Sequence, residues 1–184
     1  MVSGLLSVAA GPAARRSPWA TTRVDGVVSV EMPYAGTMEQ DSSAAEVHLR
    51  RYATTTSDNS FEALRLEYGS GTFTDTPGQN GWVALNIDKF LKRYLAIPEH
   101  HFSNARLTAS FPVSVPTAPD GTGFHRLYRG FDERRQEPVL LELTWVARGN
   151  VVYIFSCANL LPEEAGARED KQRFFTTIHF QPTP

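Results

Sequence analysis

The chain has 184 residues, of which 41% are hydrophobic and 21% are charged, ordinary proportions for one soluble globular domain. Its 20 acidic and 18 basic residues leave a net charge of −2 without a long block of either sign. The basic stripe of a nucleic-acid-binding protein is therefore absent, and no window reaches the roughly 18 apolar residues of a membrane-spanning helix. The single cysteine, Cys157, excludes an intrachain disulfide.

Residues 1–18 do not fit the pattern of the remaining chain. The run from Gly4 to Ala14 is apolar and ends in small residues, which is typical of the end of a secretory signal. Two features argue against a signal peptide, because a positive amino-terminal region is missing and Arg15-Arg16 follows the run. A disordered tail is therefore an alternative of equal weight. The signal hypothesis places the start site late within a real signal peptide and predicts a secreted or periplasmic protein. Residues 19–184 are predicted to form a single domain.

The first part of this domain is rich in strand signals. Asp25-Gly26 is a hairpin turn, and the strand after it carries one apolar face made of Val28, Val30 and Met32. The polar stretch from Gly36 to Ala45 indicates only a strand end and a turn. The segments 46–52 and 61–68 are predicted to be neighbouring strands.

The middle of the chain changes its periodicity. Four glycines and a proline predict a surface loop from Gly69 to Gly81. Residues 82–96 follow a helical period. Alternation predicts a half-buried strand over residues 106–115, and the segment from Pro116 to Gly123 is predicted to be a loop. The apolar stripe of the predicted helix consists of Val83, Ile87, Phe90, Leu91 and Tyr94.

The strongest local signal is a long hairpin around the turn Gly149-Asn150. Pairing across it sets Trp145 opposite Ile154 on one face and Thr144 opposite Phe155 on the other. Since both faces carry large apolar groups, both must be covered, which predicts the centre of a sheet sandwiched between helices. The segment 124–131 is predicted to pair with residues 139–147. After the hairpin, Pro162-Glu163-Glu164 predicts the start of a helix that runs to about Phe175. Residues 177–180 are predicted to form a short strand.

Potential chemical sites are few, and each has a structural alternative. Glu99-His100-His101 could supply metal ligands, but adjacent loop residues rarely converge on one ion. Cys157 could pair with a histidine as a nucleophile, although its apolar neighbours favour a buried thiol. The candidate partners are His48, His100, His101, His125 and His179.

Other polar residues also give no motif. The hairpin register sets Glu142 opposite Cys157, where a carboxylate either lies near a sheet end or pairs with a base. Gly69-Ser70-Gly71 and Gly121-Thr122-Gly123 are too short to cradle a phosphate. The arginine cluster, predicted to be the solvated side of a hairpin, consists of Arg126, Arg129, Arg134 and Arg135. We therefore assign no catalytic, cofactor-binding or metal-binding residue from the sequence.

The order of elements resembles the PsbP/Mog1-like domain family. The opening strand Val28-Ser29-Val30-Glu31-Met32-Pro33 and the closing Phe174-Phe175-Thr176-Thr177-Ile178-His179-Phe180 carry the likeness, with Thr177 where the family has serine. The resemblance implies an α+β fold, an α/β/α sandwich with a central, mainly antiparallel sheet. It also implies an interaction scaffold rather than an enzyme, because relatives bind photosystem components or a nuclear transport GTPase.

Two functional hypotheses follow. The first is a non-catalytic, exported binding or assembly module for an unknown protein partner, without cofactors. The second is a small-molecule carrier or hydrolase-like enzyme that uses a cleft bordered by the loops 69–81 and 116–123, since loops on a rigid sheet carry most activities.

The export hypothesis predicts a processed amino terminus. When the gene is expressed with its upstream codons, we expect the mature protein to begin after the small-residue run that ends near Ala14. Amino-terminal sequencing of the protein from the native compartment measures this. An intact Met1 in the cytosol would contradict export.

Overall fold

A computed structural model describes residues 18–34, 37–44, 47–68, 102–113 and 122–181, with the backbone alone for residues 37–44 and Thr122. Ten strands and one helix lie in this part of the chain. The helix is α1 (Ala165–Thr176). The strands are β1 (Trp19–Arg23), β2 (Val28–Pro33), β3 (Thr37–Ala44), β4 (Val47–Thr55), β5 (Asn59–Tyr68), β6 (Phe102–Val113), β7 (Thr122–Asp132), β8 (Glu137–Arg148), β9 (Val151–Leu160) and β10 (His179–Phe180).

The strands form two antiparallel sheets. The large sheet has seven strands in the order β3-β4-β5-β9-β8-β7-β6, and the small sheet has the order β1-β2-β10. Hairpin connections account for β3-β4, β4-β5, β7-β8 and β8-β9, so most neighbours in the large sheet are also neighbours in sequence.

The predicted long hairpin is confirmed. Strands β8 and β9 pair Trp145 with Ile154, Thr144 with Phe155 and Glu142 with Cys157. Gly149 begins the turn at a φ of 59°, a left-handed conformation that glycine adopts without steric cost. The predicted pairing of residues 124–131 with residues 139–147 is also confirmed.

The Phe155 side of the large sheet packs against the small sheet and α1. Its buried side chains, including Phe61 and Phe155, form one cluster with Val28, Val30 and Met32 of β2 and with Phe174 of α1. The ring of Phe174 lies 5.2 Å from that of Phe61. The predicted apolar face of β2 is thus confirmed as the face that closes this core.

The Trp145 side of the large sheet holds a second, separate cluster. Trp145 is 1% exposed and its ring stacks on Phe124 at 5.4 Å. The other buried members of the cluster are Leu64, Leu66, Tyr128, Leu141, Leu143, Val152 and Ile154. Both faces of the hairpin are therefore buried, as its sequence predicts.

The predicted α/β/α sandwich, however, is wrong. The described chain is mostly β, with two antiparallel sheets and the single helix α1. The reason is that β1, β2 and β10 do not join the central sheet but pair with one another and cover its Phe155 side, where the prediction placed a helical layer. The predicted helix 82–96 and the predicted loop 69–81 lie outside the described residues.

Several boundaries also differ from the sequence prediction. The polar stretch 36–45 contains β3, an eight-residue strand at the end of the sheet order. Strand β6 begins at Phe102 rather than at residue 106, and Thr122 and Gly123 belong to β7 rather than to a loop. The closing helix begins at Ala165, after the predicted Pro162 start. Within the described ranges, no helix is long and apolar enough to span a bilayer.

Because Phe174 packs α1 against aromatic rings of the large sheet, we expect Phe174→Ala to remove about 3–5 kcal/mol from the free energy of unfolding. Its side chain is 0% exposed and contacts the rings of Phe61, Phe155 and Phe175. Urea denaturation followed by circular dichroism measures the loss. Gln172→Ala, an exposed position of the same helix, is the matched control. Equal midpoints for the two variants would contradict this packing role.

Candidate functional site

The most concentrated group of titratable side chains lies between α1 and the large sheet. The inward stripe of α1 consists of Ala167, Lys171 and Phe174, at the spacing that places residues on one helical face. A lysine at the centre of this stripe is 8% exposed. Since a buried ammonium is costly without a partner, the structure must provide compensating charge at this point.

Two carboxylates provide it. Lys171 Nζ donates to Glu142 Oε1 at 2.5 Å and lies 2.6 Å from Glu163 Oε1. Glu142 is fixed on β8, and Glu163 precedes α1 by two residues. The pairing therefore ties the start of the helix and its inward face to the sheet.

His125 extends the group towards the surface. Its Nε2 lies 3.5 Å from Glu142 Oε2, and its Nδ1 shares a 2.8 Å hydrogen bond with Thr144 Oγ1. The imidazole stacks on Phe111 at 5.0 Å and meets the edge of Phe175 at 5.3 Å. We call the set Lys171, Glu142, Glu163, His125 and Thr144 the Lys171 cluster.

The charges of the Lys171 cluster stabilise one another. Burial alone would raise the pKa of Glu142, but hydrogen bonds with His125 and Lys171 outweigh it and hold that pKa below its usual value. Burial would likewise lower the pKa of Lys171, and its bonds with Glu142 and Glu163 raise it instead. Both groups are therefore charged near neutral pH, and neither is poised to exchange a proton there.

Cys157 is a buried thiol, as its apolar neighbours predict. It is 0% exposed, and burial raises the pKa of its thiol well above the ordinary value. Its Sγ lies 3.5 Å from Asn159 Oδ1. Asn159 in turn donates to Asn59, which donates to the carbonyl of Ala167 at 3.0 Å. This chain of amides is a second polar link between the sheet and α1. The raised pKa of Cys157 disfavours the thiolate that a nucleophile requires.

A separate network joins the small sheet to the large one. Asp25 accepts from the backbone of Val27 and Val28 in the hairpin turn, from Arg65 at 2.9 Å and from Tyr153 at 2.7 Å. Burial would raise the pKa of Asp25, but these four bonds lower it. The turn signal Asp25-Gly26 therefore also specifies how the two sheets dock.

The remaining sequence candidates are scattered. Among the predicted arginine cluster, Arg126 reaches the hydroxyl of Tyr128 at 3.5 Å, and Arg135 donates to the carbonyl of Ser57. Glu99-His100-His101 lies outside the described residues. Within the described ranges, no group of three or more potential ligands is arranged to hold a metal ion.

The large sheet exposes apolar side chains at its β6 end. Leu107 and Phe111 are each 46% exposed, and β6 is the last strand in the order of the described sheet. Leu107 pairs with Tyr128 and Phe111 with His125, so the two lie on opposite sides of the sheet. We call Leu107 and Phe111 the outer-strand surface. The alternation of apolar and polar residues in β6 is the same as in an ordinary half-buried strand, so the sequence alone does not predict this exposure.

Comparison with known proteins leaves the family open. No family model matches the chain, and no curated protein matches it. A solved structure that resembles it is "Crystal Structure of Protein of Unknown Function PA94 from Pseudomonas aeruginosa, Putative Regulator", with a TM-score of 0.45 and 12% sequence identity. The alignment covers 90% of this chain and 99% of the other.

The Lys171 cluster predicts a pH-dependent loss in the variant Glu142→Gln. A carboxyl group with a lowered pKa contributes stability above its unfolded pKa, about 4.3, and loses it as pH falls through the folded value. We therefore expect the variant to lose about 2 kcal/mol of unfolding free energy at pH 7, and the difference from the unsubstituted protein to shrink from pH 4 to pH 3. Urea denaturation at each pH measures it.

The matched control is Glu137→Gln, the same substitution at the exposed start of β8. We expect it to differ little from the unsubstituted protein at either pH. A Glu142→Gln deficit that stays constant between pH 7 and pH 3 would contradict the ionic role of Glu142.

Proposed function

We propose that this domain is a non-catalytic binding module that holds a protein partner through the outer-strand surface. The supporting observation is the 46% exposure of both Leu107 and Phe111 on the terminal described strand. The two side chains project to opposite sides of the same outer strand, so a partner that clasps this strand from both sides would contact both and cover apolar surface that the described chain leaves open. Phe111 is also held in place by its stack on His125, which lowers the entropy that binding would cost.

The interior chemistry is consistent with this proposal. Both carboxylates of the Lys171 cluster bond to Lys171, and both ring nitrogens of His125 face groups of the same cluster. Structural ion pairs perturb pKa values in the same way as active sites. The cluster is therefore sufficiently explained by fastening α1 to the sheet.

A hydrolase-like enzyme is the second candidate, because one observation favours it. Thr144, His125 and Glu142 form a hydroxyl–imidazole–carboxylate chain with steps of 2.8 and 3.5 Å, the connectivity of a nucleophile, a base and an orienting acid. Against it, Thr144 is only 7% exposed, so a substrate carbonyl has little access to its hydroxyl. Lys171 also neutralises the carboxylate that would have to stabilise an imidazolium.

The binding proposal predicts that polar substitutions on the outer-strand surface release the partner. Incubation of the purified protein with native cell-envelope extract, followed by quantitative crosslinking and mass spectrometry, should place crosslinks on β6. We expect Leu107→Ser with Phe111→Ser to lower partner recovery about tenfold or more, since central apolar contacts dominate binding energy.

The matched control is Tyr34→Ser, because Tyr34 is 51% exposed but lies after β2. Crosslinks that map away from β6, or equal recovery by all three proteins, would contradict the proposal. Turnover of p-nitrophenyl esters that disappears in Thr144→Val and in His125→Gln would favour the enzyme instead.

Export and the PsbP/Mog1-like assignment belong to the same proposal. Both are supported by sequence alone, the first by the small-residue run in residues 4–14 and the second by the strands that open and close the domain. An exported module would meet its partner in the cell envelope, which is why that extract is the source of partners in the experiment above.

A further inference from the structure

Two arginines face each other at the outer end of the large sheet. Arg106 on β6 and Arg129 on β7 are direct register partners, and both are exposed. Like charges directly opposite each other destabilise an antiparallel pair. Other arginines of the described chain, including Arg51, Arg65 and Arg173, pair with carboxylates. In the ranges that the structure describes, neither Arg106 nor Arg129 has such an ion pair.

The arginines also line a groove, which we call the arginine groove. Its volume is about 580 Å³, and its walls consist of Asn104, Arg106, Leu107, Thr108, Arg129, Gly130 and Phe131. Gly130 permits the close approach of β6 here, because an added Cβ would lie 2.6 Å from the ring of Phe102 and 2.8 Å from the carbonyl of Ser103. The groove is therefore built by the packing of these two strands.

Strand β6 is irregular on both sides of the arginine. Its register with β7 shifts between Ser103 and Arg106 and again between Leu107 and Ala109. Asn104 has a φ of 56°, a left-handed conformation that asparagine tolerates better than most residues. Bulges re-aim side chains and interrupt regular pairing, and they are common near functional sites. A segment that bound here would accordingly be held by side chains rather than by extending the sheet.

We propose that the arginine groove binds a short acidic segment of a partner protein, whose carboxylates pair with Arg106 and Arg129. The planar guanidinium group forms paired hydrogen bonds with a carboxylate, and such a ligand would offset the repulsion between the two arginines. Phe131, two residues from Arg129 on β7 and so on the same side of the sheet, offers apolar contact to neighbouring side chains of the segment. This inference rests on the proposed binding function and specifies the chemistry of the partner.

The surroundings favour a peptide over a nucleic acid. The chain carries a net charge of −2, and the β7–β8 hairpin beside the groove carries Asp132, Glu133 and Glu137, which outnumber Arg134 and Arg135 of the same turn. A phosphate backbone, with a charge at every nucleotide, would meet these acids once it extended beyond the two arginines. A short segment with one or two carboxylates would not.

Fluorescence anisotropy tests the proposal on the full chain. The probe is a labelled octapeptide, Gly-Ser-Leu-Glu-Leu-Glu-Ser-Gly, compared with the same peptide carrying Gln for both Glu. We expect binding of the acidic peptide only, weakened by rising salt, and about tenfold weaker binding in Arg106→Gln and in Arg129→Gln. Arg134→Gln, an exposed turn arginine outside the groove, should bind within about twofold of the unsubstituted protein.

Stability provides an independent readout. Removal of one of two opposed charges should leave the unfolding midpoint of Arg106→Gln unchanged or higher, whereas a merely structural arginine would lower it. Equal binding of the Gln peptide, equal binding by both groove variants, or preferential binding of a labelled oligonucleotide would overturn the proposal. If Arg106→Gln and Arg129→Gln still crosslink a partner on β6, the acidic specificity fails and the binding function stands. If the unsubstituted protein gives no crosslink on β6, the binding function itself fails.

Discussion

The burial of strand β9 on both of its faces is the constraint on which this structure depends. Residues 152–157 are all buried, so Phe155 and Ile154 require apolar cover on opposite sides. On the Phe155 side that cover comes from a second sheet together with α1. Burial of large side chains contributes roughly 1.5–3 kcal/mol each, which is enough to decide how the small sheet and the helix dock.

The polar groups of the interior follow from this docking. Once α1 lies on the sheet with Lys171 in its inward stripe, a carboxylate on β8 is needed, and Glu142 supplies it at 2.5 Å. The amides of Asn59 and Asn159 and the carboxylate of Asp25 make comparable links at other points of the same interface. These buried charges and amides specify one arrangement of the layers, whereas apolar contacts alone would tolerate several.

The two sides of the β7–β8 strand pair, one towards β9 and the other towards β6, therefore differ in role. Towards β9, the side chains are consumed by internal packing and ion pairing. Towards β6, the structure leaves Leu107 and Phe111 exposed and sets Arg106 opposite Arg129, and within the described ranges neither arginine has a carboxylate partner. Groups that folding does not use are available for recognition, which is why the proposed binding function is located on the outer strands.

The sequence by itself determined the β8–β9 register, the Asp25-Gly26 turn, the closing helix and the burial of Cys157, because turn chemistry and alternation act over a few residues. It could not show that β1, β2 and β10 form their own sheet, since which surface covers an apolar face depends on contacts distant in the chain. It also missed β3, whose polar residues form a strand only beside β4. The Lys171 cluster and the Arg106–Arg129 pair likewise exist only because tertiary packing and strand register bring separate segments together.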